Sequence, residues 1–125
     1  MPAPEADRAA LEDITHPVIR SALDQALAKA QAEGVSVILD VPLLLEGNLH
    51  ERCDACVFVE TSRETRLARA RERGWDSEEL DRREAHQLSL PVKKQRCTYT
   101  IQNDGAVAAT EQQVETLLRT LGAEF

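Results

Sequence analysis

Two carboxylates interrupt a greasy stretch near the middle of the chain. In "ILDVPLLLEGNLHERCDACVFVE", residues 38–60, Asp40 ends a β-branched run and Glu46 stands in the loop behind it. Acid groups at the tip of an apolar segment carry a desolvation cost, which is sustained where something polar is met there. A second chemical stretch follows. Between Arg63 and Arg96 ten Lys/Arg face seven Asp/Glu, a local balance of +3, whereas the rest of the chain holds five against fifteen, a balance of −10 within a net charge of −7. So local an excess suits a site for a compact anion and argues against a general nucleic-acid surface. Its bland counterpart is a solvated helix laced with ion pairs.

Three cysteines complete the inventory: Cys53, Cys56 and Cys97. Their odd number, with no secretory signal ahead of them, argues against a disulfide framework. "CDAC" has metal-pair spacing, but one further thiol completes no zinc site. Cys56 is expected to pack inward on a strand with Cys53 at its mouth.

The elements that must position these groups are readable from periodicity. Residues 7–15 have a helical pattern, and "THP" predicts a break, because the residue before proline is pushed out of helical backbone while proline is welcome in a first turn. A new helix is expected from Pro17 to Gly34, with Ile19, Leu23, Ala26, Leu27 and Ala30 on one face. "VSVILDV", residues 35–41, and "ACVFVE", residues 55–60, have the character of strands in a parallel sheet covered on both faces. "SRETRLARARERG" and "DSEELDRREAHQL" predict two capped helices, "SLPVKKQRC" a brief helical piece with proline at its start, "YTIQN" a third strand, and residues 107–121 a last helix. Strands alternating with helices make an α/β layered domain, where ligands sit beyond the carboxyl ends of the strands. Asp40, Glu46, the loop after Glu60, and Asn103 to Gly105 all fall at those ends.

At 125 residues, with 42% hydrophobic and 30% charged side chains, the chain has single-domain length and is too apolar for disorder. Its first dozen residues lack the basic start and long apolar core of a signal peptide, and no apolar run approaches the ~20 residues that span a bilayer. The expected compartment is the cytoplasm, with no membrane partner.

The order of motifs resembles the dephospho-coenzyme A kinases. The matching pieces are "LEDITHPVIR", "VILDVPLLLEGNL", "CDACVFVETSRETRLARARERG", "REAHQLSLPVKKQR" and "YTIQNDG", from about residue 11 to 121. The resemblance implies a P-loop kinase fold, a three-layer parallel sheet with a helical lid over residues 62–96, in an enzyme that transfers the γ-phosphoryl of ATP to the ribose 3′-hydroxyl of dephospho-CoA with Mg²⁺. It implies that Asp40 holds Mg²⁺ through water or orients the acceptor hydroxyl, and that Pro42, Leu43 and Glu46 help wall the acceptor pocket. It gives His16 a contact with the acceptor or a turn-capping role. Arg69, Arg73 and Arg83 match the lid arginines, whose planar, always charged forks suit a transferring phosphate. Gln87 matches a lid anchor, Lys93 a further cation, and Asn103 with Gly105 the turn that cradles adenine.

The chain departs from the family pattern at the front. A G-x-x-x-x-G-K-S/T loop holds the β- and γ-phosphates in such kinases, and no such spacing occurs among Gly34, Gly47, Gly74, Gly105 and Gly122. The expectation is a carboxyl-terminal portion, inactive by itself because phosphoryl transfer rests on positioning and charge stabilisation. Its front would come from a complementing N-terminal segment, or the portion would bind dephospho-CoA or CoA without turnover, or recruit a partner's strand. Smaller departures are Cys97-Thr98 where Ala-Asp is usual, Gln102-Asn103 where Asp-Asn is usual, and His86 in place of a small residue.

Overall fold

The computed structural model describes residues 5–122. They divide into two compact units, one ending at Ile38 and the other beginning at Leu39.

The first unit is a single helix, α1, Glu5–Glu33, with Pro17 in its interior. The break expected at "THP" does not occur. Proline forfeits one backbone bond and crowds the carbonyl four residues back, a local cost of about 3 kcal/mol. The alanine- and leucine-rich turns on either side propagate through it, and Thr15 Oγ1 donates to Leu11 O at 3.0 Å alongside. Leu23, Leu27 and Ala30 are half-buried as the expected face requires, whereas Ile19 and Ala26 are exposed. The helix stops where expected: Gly34 takes φ +68°, and Val35 N donates back to Ala30 O at 3.1 Å.

Residues 35–40 are irregular, and this corrects the strand expected over 35–41. Val35, Val37 and Ile38 are 54%, 48% and 68% exposed. A strand is made by its neighbour's backbone, so apolar composition alone produces no ladder when no partner strand lies alongside.

In the second unit an irregular loop and a short 3₁₀ turn, Leu49–Arg52, lead to β1, Val57–Glu60. Three helices follow, α2 over Arg63–Glu72, α3 over Ser77–Ala85 and α4 over Leu90–Arg96. Then come β2, Tyr99–Gln102, and α5, Val107–Leu121. β1 and β2 pair in parallel with Val57 opposite Tyr99 and Glu60 opposite Gln102, which makes the unit an α/β fold.

Each helix of the crossover begins and ends for a local reason. Ser62 caps α2 by accepting from Thr65 N at 3.2 Å, and Asp76 caps α3 by accepting from Glu79 N at 2.8 Å. Gly74, at φ +82°, ends α2, with Trp75 N donating to Ala70 O at 3.0 Å. Pro91 sits in the first turn of α4, where its missing N–H costs nothing.

The core is small: among the described residues Leu45, Cys56, Phe58, Ala70, Leu80 and Ile101 are the buried apolar ones. Along β1 Phe58 points in and Val59 is 53% exposed. The pair is thus buried on one face rather than on both as its sequence suggests.

Candidate functional site

The carboxyl ends of β1 and β2 are tied together by one short bond. Asp104, in the turn after β2, accepts from Ser62 N at 2.8 Å through Oδ1. Ser62 is the cap of α2, so the turn behind β2 fixes the start of the first basic helix. That backbone N–H is the main cause of the lowered pKa of Asp104, with smaller contributions from the Ser62 and Thr65 side chains and the positive charge of Arg69. Asn103 N donates to Glu60 O at 2.8 Å and extends the ladder to the same place.

Asn103 and Gly105 flank that acid. The Asn103 side chain accepts from Thr110 Oγ1 at 2.9 Å, which turns it toward the first turns of α5. It lines a shallow groove of about 340 Å³ with Val107, Thr110, Glu111, Val114 and Glu115. Nothing lies within 4 Å of where a Gly105 side chain would stand, so a flat ligand has room to approach its backbone.

Glu46, Gln87 and Lys93 come together as a second cluster. Glu46 Oε2 accepts from Leu88 N at 3.1 Å and lies 3.1 Å from Lys93 Nζ, which also donates to Gln87 Oε1 at 2.7 Å. Burial raises the pKa of Glu46, but its own backbone N–H, Lys93 and Leu88 N more than offset this and leave the carboxyl below its ordinary value. The loop after Asp40 is therefore latched to the α3–α4 junction, and the charge of Lys93 is engaged within the protein.

Lys94 does the same for the sheet. Its Nζ lies 3.0 Å from both carboxylate oxygens of Glu60, and Gln102 Nε2 donates to Glu60 Oε2 at 2.6 Å. Neighbouring lysines on α4 thus fasten the helix to two different acids, one in the loop and one at the end of β1. Hydrogen bonds from Lys94 and then Gln102 hold the Glu60 carboxyl below its usual range.

The remaining cations sort by partner. Arg63 pairs with Asp81, Arg66 with Glu84, and Glu79 takes both Arg82 and Arg83. Arg66 also donates to Thr61 O at 2.7 Å, so it joins the end of β1 to α3. Among the described residues Arg69, Arg71 and Arg73 have no ion-pair partner, and all three are exposed. Arg73 lies over the Trp75 ring with its guanidinium carbon 5.7 Å from the centroid, and Arg83 lies over the same ring at 4.1 Å. The basic stretch is thus part ion-paired scaffold and part free charge. The free part comprises Arg69 and Arg71 on α2, Arg73 just after it, and Arg96 at the end of α4.

Asp40, Pro42 and Leu43 are exposed, and Asp40 makes no hydrogen bond or ion pair with any described residue. Leu43 holds left-handed backbone at φ 58°, a conformation that costs a side-chain-bearing residue about 1–3 kcal/mol and that clusters at functional loops. His16 lies exposed on α1, within the helix rather than at the start of one.

The thiols are structural. Cys56 is buried just ahead of β1, as expected, and its Sγ lies 3.1 Å from Cys97 Sγ just ahead of β2. Thr98 N and Tyr99 N both donate to Cys56 O, at 2.8 and 3.1 Å. Burial first, and the contact with Cys56 second, push the Cys97 thiol up to about 12. The Cys97-Thr98 departure is thus a sulfur contact that seals the strand starts. No group of three or more His, Cys, Asp or Glu among the described residues forms a metal cage.

The family profile for dephospho-CoA kinase matches residues 2–109. The chain belongs to that family. It is 40% identical to the dephospho-CoA kinase of Deinococcus radiodurans over 115 residues, covering 90% of this chain and 56% of that protein. It is also 40% identical to the dephospho-CoA kinase of Rhodopirellula baltica over 114 residues, 89% of this chain and 52% of that one. The crystal structure of TT1252 from Thermus thermophilus superimposes with a TM-score of 0.73 at 27% identity, over 95% of this chain and 62% of that chain. The chain spans about half the length of the dephospho-CoA kinases it matches.

Sequence reasoning did not find Trp75, Glu60 or Lys94 as parts of this arrangement, and placed Asp104 at the strand ends without a role. Trp75 carried a signal, as the one tryptophan of the chain placed directly behind a helix-ending glycine. The acids carried none, because a carboxylate that bonds a distant N–H reads in sequence like any surface acid. No described helix is long and apolar enough to cross a membrane.

Proposed function

We propose that this chain supplies the lid and the acceptor side of a dephospho-CoA kinase, which phosphorylates the ribose 3′-hydroxyl of dephospho-CoA from ATP. What carries the reading, beside membership of the family, is the division of labour among the cations. Lys93 and Lys94 strap α4 to Glu46 and Glu60, whereas Arg69 and Arg73 form no ion pair among the described residues, Arg69 acting on Asp104 only through its nearby charge. Free guanidinium groups on helices otherwise saturated with ion pairs suit a phosphate chain, because they stay charged and donate as a planar fork.

Arg69, Arg73 and Arg83 meet the phosphates, while Asn103 and Gly105 face the adenine and Pro42 and Leu43 face the acceptor. Glu46, Gln87 and Lys93 hold the loop against the lid, which makes them positioning residues. Asp40, exposed and unpartnered, fits Mg²⁺ in the usual way for this ion, which takes one or two carboxylates and completes its shell with water and phosphate oxygens. The ion would neutralise charge on the transferring phosphoryl group.

These residues contain no glycine-rich cradle for the β- and γ-phosphates. Phosphoryl transfer depends on such positioning, so the chain alone binds and does not turn over at a kinase rate. The test is a coupled assay of ADP release with dephospho-CoA, beside calorimetric titration with dephospho-CoA and with ATP. Binding without ADP release is expected. Adding a segment that carries a glycine-rich loop is expected to restore turnover, and failure to bind either ligand would overturn the reading.

A further inference from the structure

Trp75 sits where the chain turns from α2 to α3, and both basic ends of that turn lie over it. Arg73 directly follows α2 as its C-cap, Arg83 belongs to α3, and their guanidinium carbons stand 5.7 and 4.1 Å from the indole centroid. Two like charges from different helices have no reason to share a neighbourhood unless something offsets their repulsion, and the negative face of an indole does this. The half-buried ring is held in turn by Trp75 N, which donates to Ala70 O at 3.0 Å.

Arg83 is gripped from a second side. Its Nε donates to Glu79 Oε1 at 2.8 Å, and the other oxygen of Glu79 takes Arg82. The ring takes one face of the Arg83 group and Glu79 one edge, so among the described residues its terminal nitrogens have no hydrogen-bond partner. Arg73 has no polar side-chain partner there either; its one described contact is the ring. The product is two guanidinium groups gathered at one ring with donors unspent among the described residues, the kind of group that binds phosphate by paired hydrogen bonds.

We propose that Trp75 is the positioning residue that presets Arg73 and Arg83 as a paired clamp for a polyphosphate anion. The inference rests on the lid arginines being the phosphate ligands and adds to it the device that sets their spacing. Preorganisation of this kind raises affinity by cutting the side-chain ordering that binding otherwise requires.

The probe is inorganic tripolyphosphate, titrated calorimetrically into the parent chain and into W75A, W75F, R73A and R83A, with circular dichroism reporting the fold of each. W75A is expected to bind roughly three- to tenfold more weakly, the loss of two exposed cation–π contacts. W75F retains an aromatic face and is expected to recover most of that loss. In the R83A background W75A is expected to cost less than in the parent. Trp75 is the one tryptophan of the chain, so R83A is also expected to shift its emission in the absence of anion, a readout that does not require W75A to fold.

Equal affinity for W75A and the parent, or no recovery in W75F, would overturn the role of Trp75 while the arginine reading stands. An unshifted emission in R83A would remove the stack itself. If R73A and R83A bind as the parent does, or the parent does not bind, the phosphate reading fails and the clamp fails with it.

Discussion

Lys93 Nζ lies 3.1 Å from Glu46 Oε2, and the two side chains are only 16% and 17% exposed. The same oxygen accepts from Leu88 N, while Glu46 Oε1 is buried with no partner. One carboxylate therefore joins the loop after Asp40 to the α3–α4 junction and to α4.

Removing it has a defined cost. E46A leaves the Leu88 N–H without its acceptor and the partly buried Lys93 ammonium with Gln87 but no counter-charge, and the expected loss is about 2–3 kcal/mol of unfolding free energy, read by urea denaturation. E46Q keeps an acceptor for Leu88 N and is expected to lose about half as much. In a double-mutant cycle E46A is expected to cost less when Lys93 is already methionine. Additive costs would show that the pair is not coupled.

Acid should loosen the strand ends before it unfolds the chain. Asp104, Glu60 and Glu46 all have folded pKa values below their ordinary ones of 3.8, 4.5 and 4.5. A depressed carboxyl stabilises the fold fully above its unfolded pKa, and that contribution is lost as pH falls through the folded value. Tm is therefore expected to fall from about pH 5 downward, and more shallowly in D104N, which lacks one of the three groups. A D104N profile parallel to the parent's would remove Asp104 from the account.

The thiols should be slow. A Cys97 pKa of about 12, and a Cys53 raised by burial first and by Cys56 and Asp54 after it, leave little thiolate near neutrality, and thiolate is the reacting form. Alkylation by iodoacetamide at about pH 8 is expected to run at least tenfold below that of an unfolded control. Mass spectrometry of the labelled sites decides it. Modification of Cys97 at the unfolded rate would contradict the sealed contact with Cys56.

P17A should stabilise α1. The substitution restores a backbone donor and removes a clash inside a 29-residue helix, with an expected gain of about 3 kcal/mol in local helix stability. Helical circular dichroism and its thermal loss measure this. An unchanged or reduced signal would mean that the proline serves the helix in some other way.

The helices and the second unit's strands were legible because their signals are local. Ser62 and Asp76 cap, Gly74 and Gly34 take left-handed backbone, and Phe58 and Ile101 alternate with exposed neighbours. The family was legible through the order of its motifs. Two expectations about elements failed for opposite reasons. At Pro17 a local penalty lost to the cooperativity of a long helix, and at residues 35–41 a local preference for strand found no partner to bond. The site was legible in its cations and only partly in their use. Charge count marks a basic stretch, but which lysine straps is decided by Glu46 and Glu60, each distant in sequence from the lysine it takes, and which arginine pairs is decided by Glu79, Asp81 and Glu84 on α3.

Gln113 on α5 treats Gln102 as a strand would. Its Oε1 accepts from Gln102 N at 2.8 Å and its Nε2 donates to Gln102 O at 2.9 Å, so a side-chain amide stands in for a neighbouring peptide. Residues alternate in which way their backbone groups point along a parallel ladder, which puts Gln102 on the rim of β2 facing away from β1. Near that end the rim is closed to a newcomer, whereas the Val57 and Val59 backbone on the far rim of β1 has no such plug among the described residues. The pair is therefore guarded against edge-to-edge growth at Gln102, and among the described residues its β1 rim is the less protected edge.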